Sequence, residues 1–252
     1  MEFNIEPNVL KSIVNLDSED IVSFEPSDEN IEFRVVDEAH VSILSIVVKK
    51  ETLSDYSITD EDKNNQINIK KDILKQILSL TSPSDNIHII KENSNTLKFE
   101  FGLMERTIKT LTATVWSRIP KIDFGTNMFT MKTEYLGKII DASKPISDSV
   151  MFIASDKGVS IGSKSVEQTS KIAITKDLLG KTTFKEQVTS TYPVEYLNRF
   201  ARYIPSDNVD IYFGNNMPIN IKFTIPSNTK INPEAEILIA PRIDTEWWIW
   251  VI

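Results

Sequence analysis

The chain contains no cysteine. That excludes disulfides, cysteine-ligated zinc and thiol catalysis, and it suits a reducing, cytoplasmic interior. Histidine is almost as rare: His40 and His88 are the two in 252 residues. Neither belongs to a His/Asp/Glu cluster with metal-ligand spacing, so no metal site is expected. Glycine occurs seven times and forms no phosphate-cradling loop. No apolar run approaches the roughly 18 residues of a membrane span. The opening "MEFNIEPNVL" has an early acid and no basic stretch ahead of an apolar one, which argues against a secretory signal. Together these absences predict no catalytic residue and no cofactor. The net charge of −8 argues at first against a polyanionic partner. That argument fails if the basic residues are gathered on one surface.

What the chain does have is repetition. "PSDNIHI" at 83–89 returns as "PSDNVDI" at 205–211, an offset of 122. "LKFEF" (97–101) and "INIKF" (219–223) share that offset, and "FNIEPNVLKSIV" (3–14) aligns with "FTMKTEYLGKII" (129–140) at 126. The reading is two copies of one domain, 1–112 and 127–252, joined by a connector at 113–126.

A shorter repeat lies inside. "LKSIV" (10–14), "LKQIL" (74–78), "LGKII" (136–140) and "LNRFA" (197–201) are preceded five residues earlier by Ile5, Ile69, Met131 and Tyr192. Seven earlier stand Phe3, Ile67 and Phe129, with Ser190 as the exception. Period-2 spacing passing into i, i+3, i+4 spacing is a strand running into a short helix. The remainder of each quarter is rich in β-branched residues, broken by turn chemistry such as "SDEN", "SDKG" and "FGNNMP". The predicted class is therefore α+β, with a strand–helix–strands unit used four times.

Each predicted helix has an apolar stripe and a polar one. Val9, Leu10, Ile13 and Val14 oppose Lys11; Ile73, Leu74, Ile77 and Leu78 oppose Lys71 and Lys75. Leu136, Ile139 and Ile140 oppose Lys138; Val194, Leu197, Phe200, Ala201 and Ile204 oppose Arg199 and Arg202. Any one such face reads as an ordinary solvated surface. Four related helices with a cation in the same window are less easily dismissed. Asp72, Glu134, Asp141 and Glu195 on the same helices keep the bias modest.

"DEAHVSILSI" (37–46), the connector with "IPKID", "YLNRF", "FGNNMPI" and "LIAPRI" (238–243) resemble the sliding clamps of the proliferating cell nuclear antigen type, in their archaeal form. The resemblance runs from residue 1 to about 244. It implies a ring of three subunits, each with two similar domains, helices inside and antiparallel sheets outside. Duplex DNA would thread the ring without regard to sequence. Lys11, Lys71, Lys75, Lys138, Arg199 and Arg202 would face it, and Gly137 and Ser79 depart from a denser basic pattern. Such a ring catalyses nothing. It tethers replicative DNA polymerase, flap endonuclease and DNA ligase, and a clamp loader opens it. The implied partner-peptide groove takes in His40, Val41, Pro218, Leu238, Ala240 and Pro241, with Trp116 or Ile119 from the connector. Subunits would join through edge strands near 105–115 and 171–189, as a homotrimer or with paralogous subunits. At the C-terminus "DTEWWIWVI" departs from the family pattern; Trp247, Trp248 and Trp250 are expected to pack on the molecule itself or in the groove. Two other readings stay open: a scaffold subunit of a mixed ring with little DNA role of its own, and an enzyme.

Overall fold

A computed structural model of the protein describes residues 1–112, 122–124, 127–184 and 186–242. The four apolar stripes form four helices, each fed directly by a strand. In the first half β1 (Glu2–Ile5) enters α1 (Pro7–Leu16), followed by β2 (Ile21–Pro26), β3 (Asn30–Val36), β4 (Ser42–Lys49) and β5 (Ser54–Ser57). Then β6 (Ile67–Lys70) enters α2 (Lys71–Leu80), followed by β7 (Ile87–Asn93), β8 (Thr96–Phe101) and β9 (Met104–Lys109). In the second half β10 (Met128–Lys132) enters α3 (Thr133–Ser143), followed by β11 (Ser149–Ser155), β12 (Gly158–Lys164) and β13 (Thr169–Thr175). Last, β14 (Val188–Pro193) enters α4 (Val194–Ala201), followed by β15 (Asn208–Tyr212), β16 (Ile219–Thr224) and β17 (Glu234–Ile239).

The residue before each helix is still extended, so strand geometry passes into helix without a loop and without a side-chain cap. Pro7 opens α1, where its missing N–H costs nothing. The apolar pattern predicts helix as far as residue 204 in the last repeat, but α4 ends at Ala201. The Tyr203 N–H bonds back to the Phe200 carbonyl at 2.8 Å, tightening the last turn ahead of Pro205.

Two units emerge. The first comprises Met1–Asp37, Ile43–Arg118 and Thr224–Ala235; the second comprises Glu38–Ser42, Ile119–Phe223 and Glu236–Ile252. They are not uninterrupted blocks of sequence. The Val41 carbonyl accepts the Ala240 N–H at 2.8 Å, which places the 38–42 segment with the second unit. Thr52 Oγ1 donates to the Ile231 carbonyl at 2.8 Å and Lys49 pairs with Glu234 at 2.6 Å, holding 224–235 to the first.

Within the first unit the strand orders are β5-β1-β7-β8-β9 and β4-β3-β2-β6; within the second, β10-β15-β16-β17 and β13-β12-β11-β14. The pairings named below are antiparallel. Their registers reproduce the sequence repeat. Phe3 faces Ile89 and Ile89 faces Phe99; their counterparts Phe129, Ile211 and Ile221 do the same. Phe24 faces Ile67 and Phe33, as Phe152 faces Ser190 and Ile161. Ser190 is the apolar exception, and its hydroxyl, buried there, donates to the Met217 carbonyl at 3.2 Å. Within each unit the two helices pack together, α1 on α2 and α3 on α4, with their apolar stripes buried.

Candidate nucleic-acid interface and peptide groove

The polar stripes of the helices carry the candidate cations. Lys11, Lys75, Lys138 and Arg202 are exposed and Arg199 is half-buried. Lys71 is not among them: it is 8 % exposed. Its ammonium donates to the Asp17 carbonyl at 2.6 Å and lies 3.5 Å from the Asp17 carboxylate. The spacing of Lys71 and Lys75 suggested one shared face. A first-turn side chain points back toward its helix N-terminus, however, and here that direction leads to the end of α1. Lys71 is therefore corrected from a DNA-facing residue to a buried tie between two helices.

Four of the five remaining cations hold a carboxylate. Lys75 lies 3.7 Å from Asp72, Arg199 2.8 Å from Glu195, and Arg202 on α4's end 2.8 Å from Asp141 on α3. Lys138 pairs with Glu134 one turn away. Their hydrogen bonds hold the Glu134 carboxyl below its ordinary range and raise Lys138 and Arg202 above theirs. Lys11 has no ion pair among the described residues. The i, i+4 spacing of Glu134–Lys138 and Glu195–Arg199 makes those two pairs legible in sequence. The Asp141–Arg202 pair needs the packing of α3 on α4.

The groove residues lie in the second unit. His40 is exposed at a left-handed φ of 55°, and Val41, next to it, is joined to Ala240 by the hydrogen bond already given. Leu238 is buried; Pro218, Ala240 and Pro241 are half-buried. Strand β14 organises both neighbouring segments. Tyr192, fully buried, donates its hydroxyl to the Met217 carbonyl at 2.8 Å, which fixes the turn carrying Pro218. The next carbonyl along, that of Thr191, accepts the Arg242 N–H at 2.8 Å and so holds the strand end carrying Pro241. Arg242 also pairs with Asp148 at 2.6 Å and keeps that carboxyl below its usual range. Tyr192, Thr191 and Asp148, which tie these segments together, were not singled out for that role in sequence, because contacts across the fold leave no spacing signal. Trp116, Ile119 and the tail tryptophans 247, 248 and 250 lie outside the described residues.

His88 lies on a sheet face 3.3 Å from Glu100, and among the described residues no three His, Asp or Glu side chains are grouped to hold a metal. Asp85 in the first "PSDN" accepts the Ser82 N–H at 3.1 Å, which is turn chemistry.

The fold defines a two-domain protein with repeated helices bearing cations on one stripe. Family models for the N-terminal and C-terminal domains of proliferating cell nuclear antigen match residues 4–119 and 118–233. The chain belongs to the proliferating cell nuclear antigen family. It is 29 % identical over 250 residues to the DNA polymerase sliding clamp of Thermoplasma volcanium, covering 97 % of this chain and 99 % of that one. It is 28 % identical over 242 residues to the sliding clamp of Archaeoglobus fulgidus, covering 94 % and 95 %. Among solved structures, the Archaeoglobus fulgidus protein bound to the C-terminal region of FEN-1 superimposes with a TM-score of 0.85 at 23 % identity, over 97 % of this chain and 99 % of that one. The Thermococcus kodakaraensis protein gives 0.80 at 21 %, over 96 % and 99 %.

Proposed function

We infer that this chain is a DNA polymerase sliding clamp: a non-catalytic subunit of a trimeric ring that encircles duplex DNA and tethers replication and repair enzymes. The observation that carries this reading is the four repeat-related helices, each with a cation on the stripe opposite its buried one. Sparse cations suit sequence-blind contacts, because phosphates carry no sequence information. Lys11, Lys75, Lys138, Arg199 and Arg202 are the proposed DNA-facing residues. His40, Val41, Pro218, Leu238, Ala240 and Pro241 form the proposed groove, with Trp116 and Ile119 as its connector side. Flap endonuclease is a proposed client, supported by the FEN-1 segment bound to the Archaeoglobus relative. Replicative polymerase, DNA ligase and a clamp loader are proposed on the family relationship.

Trimer formation is supported by two strands that end their sheets, β9 and β13. Leu103 beside β9 and Leu178 just past β13 are among the most exposed large apolar residues described. Unpaired strand edges invite pairing with another chain. The expected edge near 171–189 is narrower than that range, since a 3-10 turn at Lys176–Leu178 follows β13 and β14 begins at Val188.

The test is the quadruple variant Lys75→Ala, Lys138→Ala, Arg199→Ala, Arg202→Ala in the assembled ring. Ring–duplex affinity at about 100 mM salt should fall at least about tenfold and its salt dependence should flatten, with folding intact. Wild-type affinity and salt slope in this variant would sink the helix-face assignment.

A further inference from the structure

The carboxylates on the helix faces are arranged as carefully as the cations. Asp72, Glu134 and Glu195 sit three or four residues from Lys75, Lys138 and Arg199, and Asp141 reaches from α3 to Arg202. A phosphate that approaches Lys138, Arg199 or Arg202 therefore meets a cation that already gives a hydrogen bond to a carboxylate beside it. Binding it means sharing the cation with that carboxylate or displacing it, so the gain of a new charge-assisted hydrogen bond is offset by repulsion or by the loss of the old one. The displaced acid stays beside the contact and competes for the cation again.

We propose that Asp72, Glu134, Asp141 and Glu195 are built-in competitors that weaken each phosphate contact and shorten its lifetime, so that the ring holds duplex without gripping it. The proposal rests on the reading of the helix stripes as the DNA face. It assigns a function to the acids, which that reading alone treats as dilution of a basic surface. Exchange suits sliding because a contact that breaks as easily as it forms presents no register to the duplex. It also gives the acids and cations opposite roles that can be separated by substitution.

The experiment compares four forms of the assembled ring on one duplex across a range of salt. They are wild type; Asp72→Asn, Glu134→Gln, Asp141→Asn, Glu195→Gln; the quadruple alanine variant of the cations; and a control that removes equal charge elsewhere. The control is Glu92→Gln, Asp156→Asn, Glu167→Gln, Glu186→Gln, all exposed residues outside the helices. A further form that keeps Asp141 guards against loss of the α3–α4 tie. Removing the helix acids should raise duplex affinity at least about tenfold at about 50 mM salt and steepen the slope of log affinity against log salt. The control should do much less. Equal effects from the helix and control variants would reduce the acids to net charge and overturn the proposal. So would no effect of the helix acids while the cation variant loses binding. If the cation variant itself binds like wild type, the DNA-face reading fails first, and the proposal falls with it.

Discussion

The two units share a core and differ at the surface of that core. An offset of 126 carries α1 onto α3 and 123 carries α2 onto α4, and the buried positions answer one another: Leu10 and Leu136, Ile13 and Ile139, Leu74 and Leu197, Ile77 and Phe200. The outer positions do not. Lys11 answers to Gly137, Ser12 to Lys138, Gln76 to Arg199 and Ser79 to Arg202. Even the joint between paired helices is built differently. Asp17 and Lys71 meet there in the first unit; the equivalent positions in the second hold Ser143 and Val194, both buried. The shape of a strand–helix junction is thus set by apolar spacing, while the chemistry of joint and face is free to vary around it.

The joint is where the comparison can be broken most sharply. Burial pushes the Asp17 carboxyl up to about 7 against the pull of Lys71. Lys71→Met leaves the buried Asp17 carboxyl without its cation and should cost about 3 kcal/mol in denaturant unfolding at about pH 8, from the lost hydrogen bond to the Asp17 carbonyl and the lost stem packing as well as the ion pair. Asp17→Ser with Lys71→Val copies the second unit and should recover most of that loss. The pH dependence has a definite sign. A carboxyl whose folded pKa lies above its unfolded one contributes stability that is present below about pH 4 and lost as pH rises through about 7. Removing Lys71 drives Asp17 higher still. The deficit of Lys71→Met should therefore be smaller at about pH 5, where Asp17 is protonated in both folded forms, and larger by about 1 kcal/mol at about pH 8, one unit above the wild-type value of about 7. A deficit independent of pH would mean that lost packing of the lysine stem, and not the ion pair, holds the joint.

A second difference lies in the β-turns. "SDEN" and "SDKG" occupy equivalent places, so Asn30 answers to Gly158. Asn30 begins β3 facing Lys49, and Gly158 begins β12 facing Thr175 at a φ of 145°. A Cβ on Gly158 would lie 2.3 Å from the Ile174 carbonyl oxygen. Gly158→Ala should cost about 2 kcal/mol, from backbone strain and the contact together. Asn30→Ala, whose side chain makes no hydrogen bond among the described residues, should stay within about 0.5 kcal/mol. Comparable costs at both sites would show that the turn residues tune stability alike, contrary to their geometry.

Much of this architecture was legible in sequence because apolar periodicity survives in every repeat. The residues five and seven before each first leucine fall where the spacing put them, with Ser190 tolerated because its hydroxyl finds Met217. The helix-face cations were legible for the same reason, except Lys71, whose position on a helical wheel hides the direction a first-turn side chain takes. The residues of the proposed groove were legible only where they lie in local motifs. His40, Val41, Ala240 and Pro241 lie in local motifs, whereas Tyr192 and Thr191 act across the fold through hydrogen bonds to backbone groups. The segmental make-up of the units was equally hidden, since the Val41–Ala240 bond joins residues nearly 200 apart in sequence.

The smallest expected effect is also the cleanest comparison, because it concerns one exposed position. Gly137 stands on the polar stripe of α3 where α1 has Lys11, and a Cβ there would meet nothing within 4 Å. Glycine inside a helix costs about 1 kcal/mol relative to alanine, through the greater freedom it surrenders on folding. Gly137→Ala should therefore stabilise the protein by about that much without touching any neighbour. Lys11→Gly should lose a similar amount from the first unit. The lysine variant separates stability from binding. Gly137→Lys should gain nearly as much stability as alanine and should add a cation whose one-turn acid, Glu134, is already paired with Lys138. On the assembled ring it should steepen the salt slope of duplex binding by up to about 0.9 per added phosphate contact, while Gly137→Ala leaves the slope alone. If both variants stabilise the fold but neither moves the slope, this stripe of α3 does not reach the duplex, and the equivalence drawn between Lys11 and position 137 holds for the helix alone.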